Sequence, residues 1–402
     1  MDVWVVSILA VIASSSLLLA LFTHVVAHMT LNRASRKTGP TPAISILKPL
    51  CGLDDGLEEN LRAIAVQDYP VFEVLFAAED AEDPALDVAR RVKRAYPAVP
   101  MKIVVSSSAD ALNPKVANLM AMTREAKHRY LLVSDSNVRP DPGYLRAIAA
   151  ETADSRVGLV SSVLSGSGET TVGALLENAH LNSFILSAVC AGNSLARHPC
   201  VIGKSMLVRR TDLESLGGWE SVGDLLAEDY ILGHRFKKAG LGVALSSHPV
   251  PTINADWSVR RFLHRHLRWN QMRRRIAPIA YLFEPLLYPV PWLLSLAVAS
   301  AACEDDWGLS PQLTVPATLV GVLMKAGSDL ALSRRLRGHG LGIASLAWMP
   351  VKDMLLLPLW LLGAFRRKVA WRGHQLRIGA GSRLERGPAT APNWNAEAPA
   401  PD

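Results

Sequence analysis

Cysteine is scarce. Four stand in 402 residues (Cys51, Cys190, Cys200 and Cys303), far apart and with no C-x-x-C pair. That spacing excludes a disulfide framework and a zinc site and leaves scattered, reduced thiols. No G-x-G-x-x-G or G-x-x-x-x-G-K-[ST] follows the first predicted strand, so a Rossmann dinucleotide site and a P-loop are not expected. Charge is sparse too, at 20% of residues against 50% hydrophobic, which excludes a disordered chain. The mean hydropathy of +0.18 is high for a soluble enzyme and low for a bundle of membrane spans. It points to a water-soluble domain tethered by a few transmembrane segments. Lys plus Arg (43) exceed Asp plus Glu (36), for a net charge of +7. Such an excess suits nucleic acid or an anionic membrane surface. Here the basic residues cluster beside apolar runs, where they fit lipid head groups, and no nucleic-acid partner is expected.

Val3 to Val26 contains no Asp, Glu, Lys or Arg, long enough to cross the roughly 30 Å hydrocarbon core. No basic segment precedes it, as a signal peptide would require, whereas Arg33, Arg36 and Lys37 follow it. Basic residues mark the cytoplasmic side. Residues 1–28 therefore read as an uncleaved anchor and residues 40–255 as a cytoplasmic domain. Residues 256–276 read as a basic amphipathic helix at the membrane surface and 277–366 as a second membrane region. Within that region, Pro285–Cys303 and Trp307–Met324 flank the acidic Glu304-Asp305-Asp306 and end near Arg334-Arg335-Leu336-Arg337, the pattern of a helical hairpin. Lys325 and Asp329, four apart in apolar sequence, are expected to pair. Leu341–Phe365 is broken by Lys352-Asp353, Pro350 and Pro358 and reads as a re-entrant or interfacial helix pair. Residues 387–402, rich in Pro and Ala, read as a disordered tail. Ala- and Arg-rich usage suggests a bacterial inner membrane.

Between residues 43 and 165, β-branched runs alternate with amphipathic ones. Strands are predicted at Ala43–Leu47, Phe72–Phe76, Met101–Val105, Tyr130–Ser134 and Val157–Ser161. The helices between them fall at Leu57–Val66, Pro84–Ala95, Pro114–Ala126 and Asp141–Ala150. This alternation implies an α/β fold with a mainly parallel sheet covered on both faces. Ligands of such sheets sit at the carboxyl ends of the strands. There the chain is acidic: Glu79-Asp80-Ala81-Glu82-Asp83 follows the second strand and Asp135-Ser136-Asn137 the fourth. Carboxylates so placed can hold a divalent cation and, through it, a diphosphate. They can equally be helix caps, since Asp83 precedes a helix that starts with Pro.

Further on stand Val201-Ile-Gly-Lys-Ser-Met-Leu207, Gly217-Gly-Trp219, Leu226-Ala-Glu-Asp-Tyr230 and Arg265-His-Leu-Arg-Trp269. Together with the two acidic groups, these resemble membrane glycosyltransferases of the GT-A type, specifically the ceramide glucosyltransferase family. That family's pattern is an acidic group after strand two, D-S-x after strand four, E-D-Y, and [RQ]-x-x-R-W. Ile46-Leu-Lys-Pro-Leu50 and Asn113-Pro-Lys-Val-Ala-Asn-Leu119 are similar to further family segments. The resemblance covers roughly residues 43–290 and also the plan of one N-terminal anchor and a C-terminal membrane region.

It implies roles residue by residue. Asp80 and Asp83 lie on the nucleotide side, and Asp135 faces a metal-bound diphosphate. Asp229 is the general base, and Arg265, Arg268 and Trp269 form the R-x-x-R-W. Asn137 stands where a full D-x-D would have Asp, so a Mg²⁺ or Mn²⁺ ion would be held by Asp135 with a neutral Asn137 oxygen. Lys115 and Lys204 are candidates for phosphate or acceptor contacts; surface lysines are the plain alternative. The chemistry requires such groups. A carboxylate takes the proton of the attacking alcohol, contributing on the order of 10²–10⁴-fold. Arg265 and Arg268, at i and i+3 on one helical face, can fork onto phosphate oxygens. The implied partners are a UDP-sugar, a membrane lipid acceptor and the bilayer. The implied reaction is inverting transfer of one sugar, glucose to ceramide. A hopanoid N-acetylglucosaminyltransferase is the nearest rival. A transporter or receptor is suggested only by Lys325, Asp329, Lys352 and Asp353 in apolar sequence.

Overall fold

A computed structural model describes residues 3–33, 39–107, 110–302, 310–371 and 374–386. Helix α1 (Val3–Asn32) precedes an alternating segment: β1 (Ile44–Pro49), α2 (Leu57–Ala65), β2 (Phe72–Ala78), α3 (Pro84–Ala95), β3 (Met101–Val105), α4 (Pro114–Glu125), β4 (Tyr130–Ser134) and α5 (Tyr144–Ala150). Strand β5 (Val157–Ser167) leads into α6 (Val172–His180), one π turn (Leu181–Ile185) and α7 (Leu186–Ser194). Then come β6 (Ser205–Arg209), α8 (Arg210–Ser215), α9 (Glu228–Lys238) and β7 (Gly242–Ile253). The expected strands and helices lie where the sequence places them, with β5 running past Ser161 to Ser167.

The seven strands form one sheet in the order β3-β2-β1-β4-β6-β5-β7. Strand β6 runs antiparallel to both neighbours and every other pairing is parallel, so six strands point the same way. One face carries α2, α3 and α5, with Leu61, Ile64, Leu86, Val92 and Ile148 packed on Ile44, Ile46 and Phe76. The other carries α4 and α9, with Leu119, Met122, Leu232 and Phe236 on Leu47, Leu75 and Val133. Both faces are thus covered, which is why β1 is buried along its whole length and is apolar but for Ser45 and Lys48. The common strand direction gathers on one rim the segments after β1, β2, β4 and β7. Because β6 runs the other way, its start, at Lys204, lies on that same rim.

Helices α10 (Val259–Ile276), α11 (Pro278–Phe283), α12 (Pro289–Ala301), α13 (Pro311–Arg337) and α14 (Trp348–Phe365) follow. Among the described residues, three helical segments are long and apolar enough to cross a membrane: Trp4–Asn32, Pro311–Arg337 and Ile343–Phe365. Pro278–Leu287 with Pro289–Ala301 would make a fourth, bent by 57°. The expected hairpin corresponds to α12 and α13. Its acidic turn at 304–306 lies outside the described residues, as does the 387–402 tail. In place of the expected re-entrant pair, residues 343–365 form one helical run.

The reason lies in pairing. Lys352 Nζ meets Asp353 at 2.7 Å and Asp329 at 3.5 Å, while Lys325 Nζ meets Asp329 at 2.7 Å and Asp353 at 3.6 Å. Two cations and two anions neutralise one another between α13 and α14, so α14 need not unwind to bring its charges to water. The Lys325–Asp329 pair is the one expected from spacing. Mutual neutralisation also accounts for these charges without a transport pathway.

Helix α10 differs from a helix resting freely on a membrane surface. Its buried side, Phe262 with Leu263 and Leu267, packs among Leu176 of α6 and Leu356 and Leu359 of α14. Gly363 of α14 lets the backbones approach, since a Cβ there would lie 2.5 Å from that of Asn270. After α14 the chain makes a small antiparallel sheet of β8 (Lys368–Trp371), β9 (His374–Ile378) and β10 (Leu384–Arg386).

Candidate active site

Loop Asp135-Ser136-Asn137, after β4, is held from three sides. Lys48 Nζ, reaching across from β1, donates to the carbonyl of Asp135 at 2.6 Å and to that of Val138 at 3.3 Å. Lys204 Nζ donates to Asn137 Oδ1 at 2.7 Å and to Thr252 Oγ1 at 3.0 Å. Ser136 Oγ donates to Asp54 from the loop after β1, and Asp55 of the same loop accepts from Ala255 N at 2.7 Å. Burial lowers the pKa of Lys48 to about 7, even though Asp135 and Asp54 act to raise it. Burial likewise lowers that of Lys204, reinforced by the Arg265 charge, to about 8.

Asp135 Oδ1 lies 3.0 Å from Lys115 Nζ, and the same ammonium lies 3.2 Å from Glu228 Oε1 and donates to the Gly203 carbonyl at 3.0 Å. Lys115 is 7% exposed, so it is no surface lysine. Burial disfavours its charge, but Asp135, Glu228 and Asp229 more than offset this and raise its pKa. It stands in the first turn of α4, where Asn113 caps the helix by accepting from the amides of Lys115 and Val116.

Asp229, in the first turn of α9, accepts from Gly203 N at 2.6 Å and Tyr230 N at 2.7 Å. Gly203 is required by this close approach: a Cβ there would lie 2.9 Å from both Asp229 Oδ2 and Lys115 Nζ. Burial raises the pKa of Asp229 and that of its buried neighbour Glu228, with Lys115 opposing in both cases. The result is a carboxylate held in place yet shifted toward neutral pH, the property a general base needs.

Arg265 of α10 extends between two indoles, its guanidinium carbon 5.0 Å from the Trp257 ring and 4.5 Å from that of Trp269. Its Nε lies 3.3 Å from Glu177 Oε1, and His266 Nε2 lies 2.8 Å from Glu177 Oε2. Burial alone would push the Glu177 pKa up, but the neighbouring charges bring it down to about 2. Arg265 is the largest of those charges, and burial lowers the pKa of His266. Arg268 is half-buried on the same helix.

The two acidic positions after β2 differ from the rest. Asp83 accepts from Gly52 N at 2.9 Å and from Ala85 N at 2.8 Å, capping α3 and tying it to the loop after β1. Asp80 is exposed and accepts from Glu82 N at 2.9 Å. The rim thus joins Asp135, Asn137, Lys115, Lys204 and Asp229 through shared contacts, with Arg265 in electrostatic reach of Lys204. Asp80 and Asp83 stand on the neighbouring loop. Sequence reading passed over Lys48, Asp54, Asp55, Glu177 and Glu228. Asp54-Asp55 lies in the loop after β1, with four residues between it and the strand, where an inspection of every strand end reaches it. Lys48 stands within the Ile46–Leu50 segment that resembles the family, whereas Glu177 carries no local signal beyond a charge inside apolar sequence.

Mg²⁺ and Mn²⁺ are commonly held by one or two carboxylates, with substrate phosphates and water completing the shell. Asp135 fits as that single carboxylate. The Asn137 carbonyl oxygen faces the Lys204 ammonium, and among the described residues no three His, Cys, Asp or Glu side chains group as a metal site.

A sheet of this order, covered by helices on both faces and bearing acidic residues on the rim, is the GT-A glycosyltransferase fold. A solved mannosyltransferase from Pyrobaculum calidifontis, in complex with GDP-Man and Mn²⁺, shares it with a TM-score of 0.53 and 19% identity, covering 87% of this chain and 99% of that one. The chain is a glycosyltransferase, and it belongs to glycosyl transferase family 21, whose model matches residues 7–384. Among its relatives, Ceramide glucosyltransferase 3 of Caenorhabditis elegans is 26% identical over 359 residues, 88% of this chain and 76% of that protein. Ceramide glucosyltransferase 1 of the same organism is 29% identical, but over 65% of this chain and 57% of its own length. Ceramide glucosyltransferase of Komagataella phaffii is 25% identical over 86% and 85%.

Proposed function

We propose that the protein transfers a single glucose from UDP-glucose to the hydroxyl of ceramide at a membrane surface, with inversion at the anomeric carbon. The observation that carries this reading is Asp229, held by the Gly203 amide beside the Lys115–Asp135 pair, in a chain whose relatives are ceramide glucosyltransferases.

In this mechanism the acceptor oxygen attacks the anomeric carbon and its proton passes to Asp229. The bond from that carbon to the diphosphate breaks, and the electron pair leaves with UDP. Arg265 and Arg268 offset the charge of the departing diphosphate, with the Trp257 and Trp269 rings keeping water from the Arg265 guanidinium. Lys204 adds a cation on the Asn137 side. A Mg²⁺ or Mn²⁺ ion bound through Asp135 would supply further positive charge to the diphosphate. Asp80, Asp83 and the Asp54-Asp55 loop line the end of the rim proposed for the nucleoside. Catalysis on the cytoplasmic side is supported by Arg33 and by Arg334, Arg335 and Arg337, which follow two spans on the face bearing the α/β domain.

The test is transfer in detergent from radiolabelled UDP-glucose and UDP-N-acetylglucosamine to ceramide and to a hopanoid polyol. Glucosylceramide is expected from the wild type. Asp229→Asn is expected to fall by at least about 100-fold while still binding UDP. Product with the hopanoid alone would keep the mechanism and change the acceptor. No transfer from protein that binds UDP would overturn the lipid assignment.

A further inference from the structure

The small sheet β8–β10 comes after the last membrane helix, far along the chain from the catalytic rim, yet it closes on the loop that carries the proposed base. Two backbone hydrogen bonds join them, and together they make one antiparallel bridge. Leu226 N donates to the Ser382 carbonyl at 3.0 Å and Leu384 N donates to the Asp224 carbonyl at 2.7 Å, which pairs Leu225 with Arg383. Ser382 Oγ accepts from Ala227 N at 3.2 Å. One residue therefore captures two consecutive amides immediately before Glu228 and Asp229.

That geometry has a cost. Ser382 is fully buried with φ +64°, one of two non-glycine residues at positive φ among those described. Side chains disfavour this region, and such strain persists only where the surroundings enforce it. The fold-back is what lets the carbonyl and hydroxyl of a single residue face the same loop. Ala227 in turn makes no side-chain cap for α9, so the amides before its first turn are met from outside the helix.

The loop is gripped from its other side by Asn113, whose amide nitrogen donates to the Leu225 carbonyl at 2.7 Å and whose backbone N donates to Gly223 at 2.9 Å. Leu226 is embedded in the small sheet among Val369, Leu376, Ile378 and Leu384, with Met272 of α10 packed against the group. Gln271 of α10 donates to the Lys368 carbonyl at 3.0 Å. The small sheet thus touches both the helix bearing Arg265 and Arg268 and the loop bearing Asp229.

We propose that β8–β10 is a strap that sets Asp229 against the arginine helix, with Ser382 as its positioning residue. This rests on the general-base role proposed for Asp229. Ser382 touches no reacting atom; it acts through the Leu226 and Ala227 amides.

Ser382→Gly is the informative variant, because glycine accepts φ +64° freely and the strap can keep its path while the hydroxyl is lost. Hydrogen exchange of the full-length protein in detergent is expected to rise in the peptide spanning residues 224–230. UDP affinity is expected to stay within about twofold. Loss of one neutral hydrogen bond corresponds to a fall in kcat of about 2- to 10-fold, with the donor KM unchanged. Ser382→Ala, which also keeps the strain, should lose at least as much. A merely structural role would reduce the amount of UDP-binding protein and leave kcat per binding site intact; that outcome, or unchanged exchange, overturns the proposal. Asp229→Asn run in parallel separates the two readings. An active Asp229→Asn removes the base assignment, and the positioning role with it. An inactive Asp229→Asn beside an unaffected Ser382→Gly removes the strap alone. Should the wild type glycosylate no lipid, the function proposed above fails, and the exchange measurement still decides whether Ser382 holds the loop.

Discussion

Lys115 sets the electrostatic state of three carboxylates at once, and its removal has a definite sign. A base works deprotonated, so with Asp229 as the proposed base the transfer rate is expected to fall as the pH drops through its pKa. Burial raises that pKa above its ordinary value of 3.8, and Lys115 is the largest influence pulling it back down. Lys115→Met takes away a cation that favours the ionised form. The acid limb of kcat/KM should therefore move to higher pH, by about one unit or more, measured from pH 4 to pH 9 on protein checked for UDP binding. An unmoved limb, or one displaced to lower pH, would show that Asp229 is not the titrating base. At this scale the sequence was legible in part. The E-D-Y and D-S-N motifs mark Asp229 and Asp135 as candidates, but that a single lysine from Asn-Pro-Lys joins them is a contact between α4, β4 and α9. Nothing in the spacing from 115 to 229 encodes it.

The membrane helices make the same point with opposite consequences. Lys352 and Asp353 look like an interruption of an apolar segment, since a lone charge in hydrocarbon costs several kcal/mol. Placed beside Lys325 and Asp329 they become half of a neutral tetrad, with His24 of α1 3.5 Å from Asp329 and bonded to Ser328 Oγ at 2.7 Å. A single Asp329→Asn leaves two buried lysines facing one carboxylate and should destabilise the protein by about 3 kcal/mol. Lys325→Met combined with Asp329→Met keeps the Lys352–Asp353 pair and should recover most of that loss. Denaturation in detergent, followed by loss of UDP binding, checks both. Equal destabilisation by the single and double variants would mean that the four charges do not act as a unit.

For the whole molecule, the arrangement of helix ends sets which surfaces share one side of the membrane. The C-terminal end of α1 meets that of α13, where Arg335 donates to the Leu31 carbonyl at 3.1 Å and to Asn32 Oδ1 at 3.0 Å. Both ends lie against the α/β domain, with Ala27, Leu31, Leu332 and Leu336 packed on Val163 and Leu186. Ala302, at the end of α12, and Ser310, before α13, stand at the opposite end of these helices. In right-side-out vesicles, a sole cysteine introduced as Ala302→Cys should react with an impermeant maleimide. Cys51, exposed in the α/β domain, should react as sole cysteine only after permeabilisation. The reverse pattern would place catalysis outside.

The sequence by itself determined the α/β alternation, the acidic strand ends, the apolar segments and the motif set that marks the family. These are local or periodic signals: burial on both sheet faces demands continuous apolar strands, and a span demands an uncharged run. Only the tertiary structure decided which charges meet. Lys48 stands under the D-S-N loop because β1 and β4 are sheet neighbours, and Lys204 reaches Asn137 because β6 alone runs antiparallel. The membrane tetrad forms because α13 and α14 pack side by side, and Ser382 reaches the loop before Asp229 because the chain returns to the rim after its last membrane helix. Charges interact through space over a few ångströms, and the separation of residues along the chain carries almost no information about that distance until the fold has closed it.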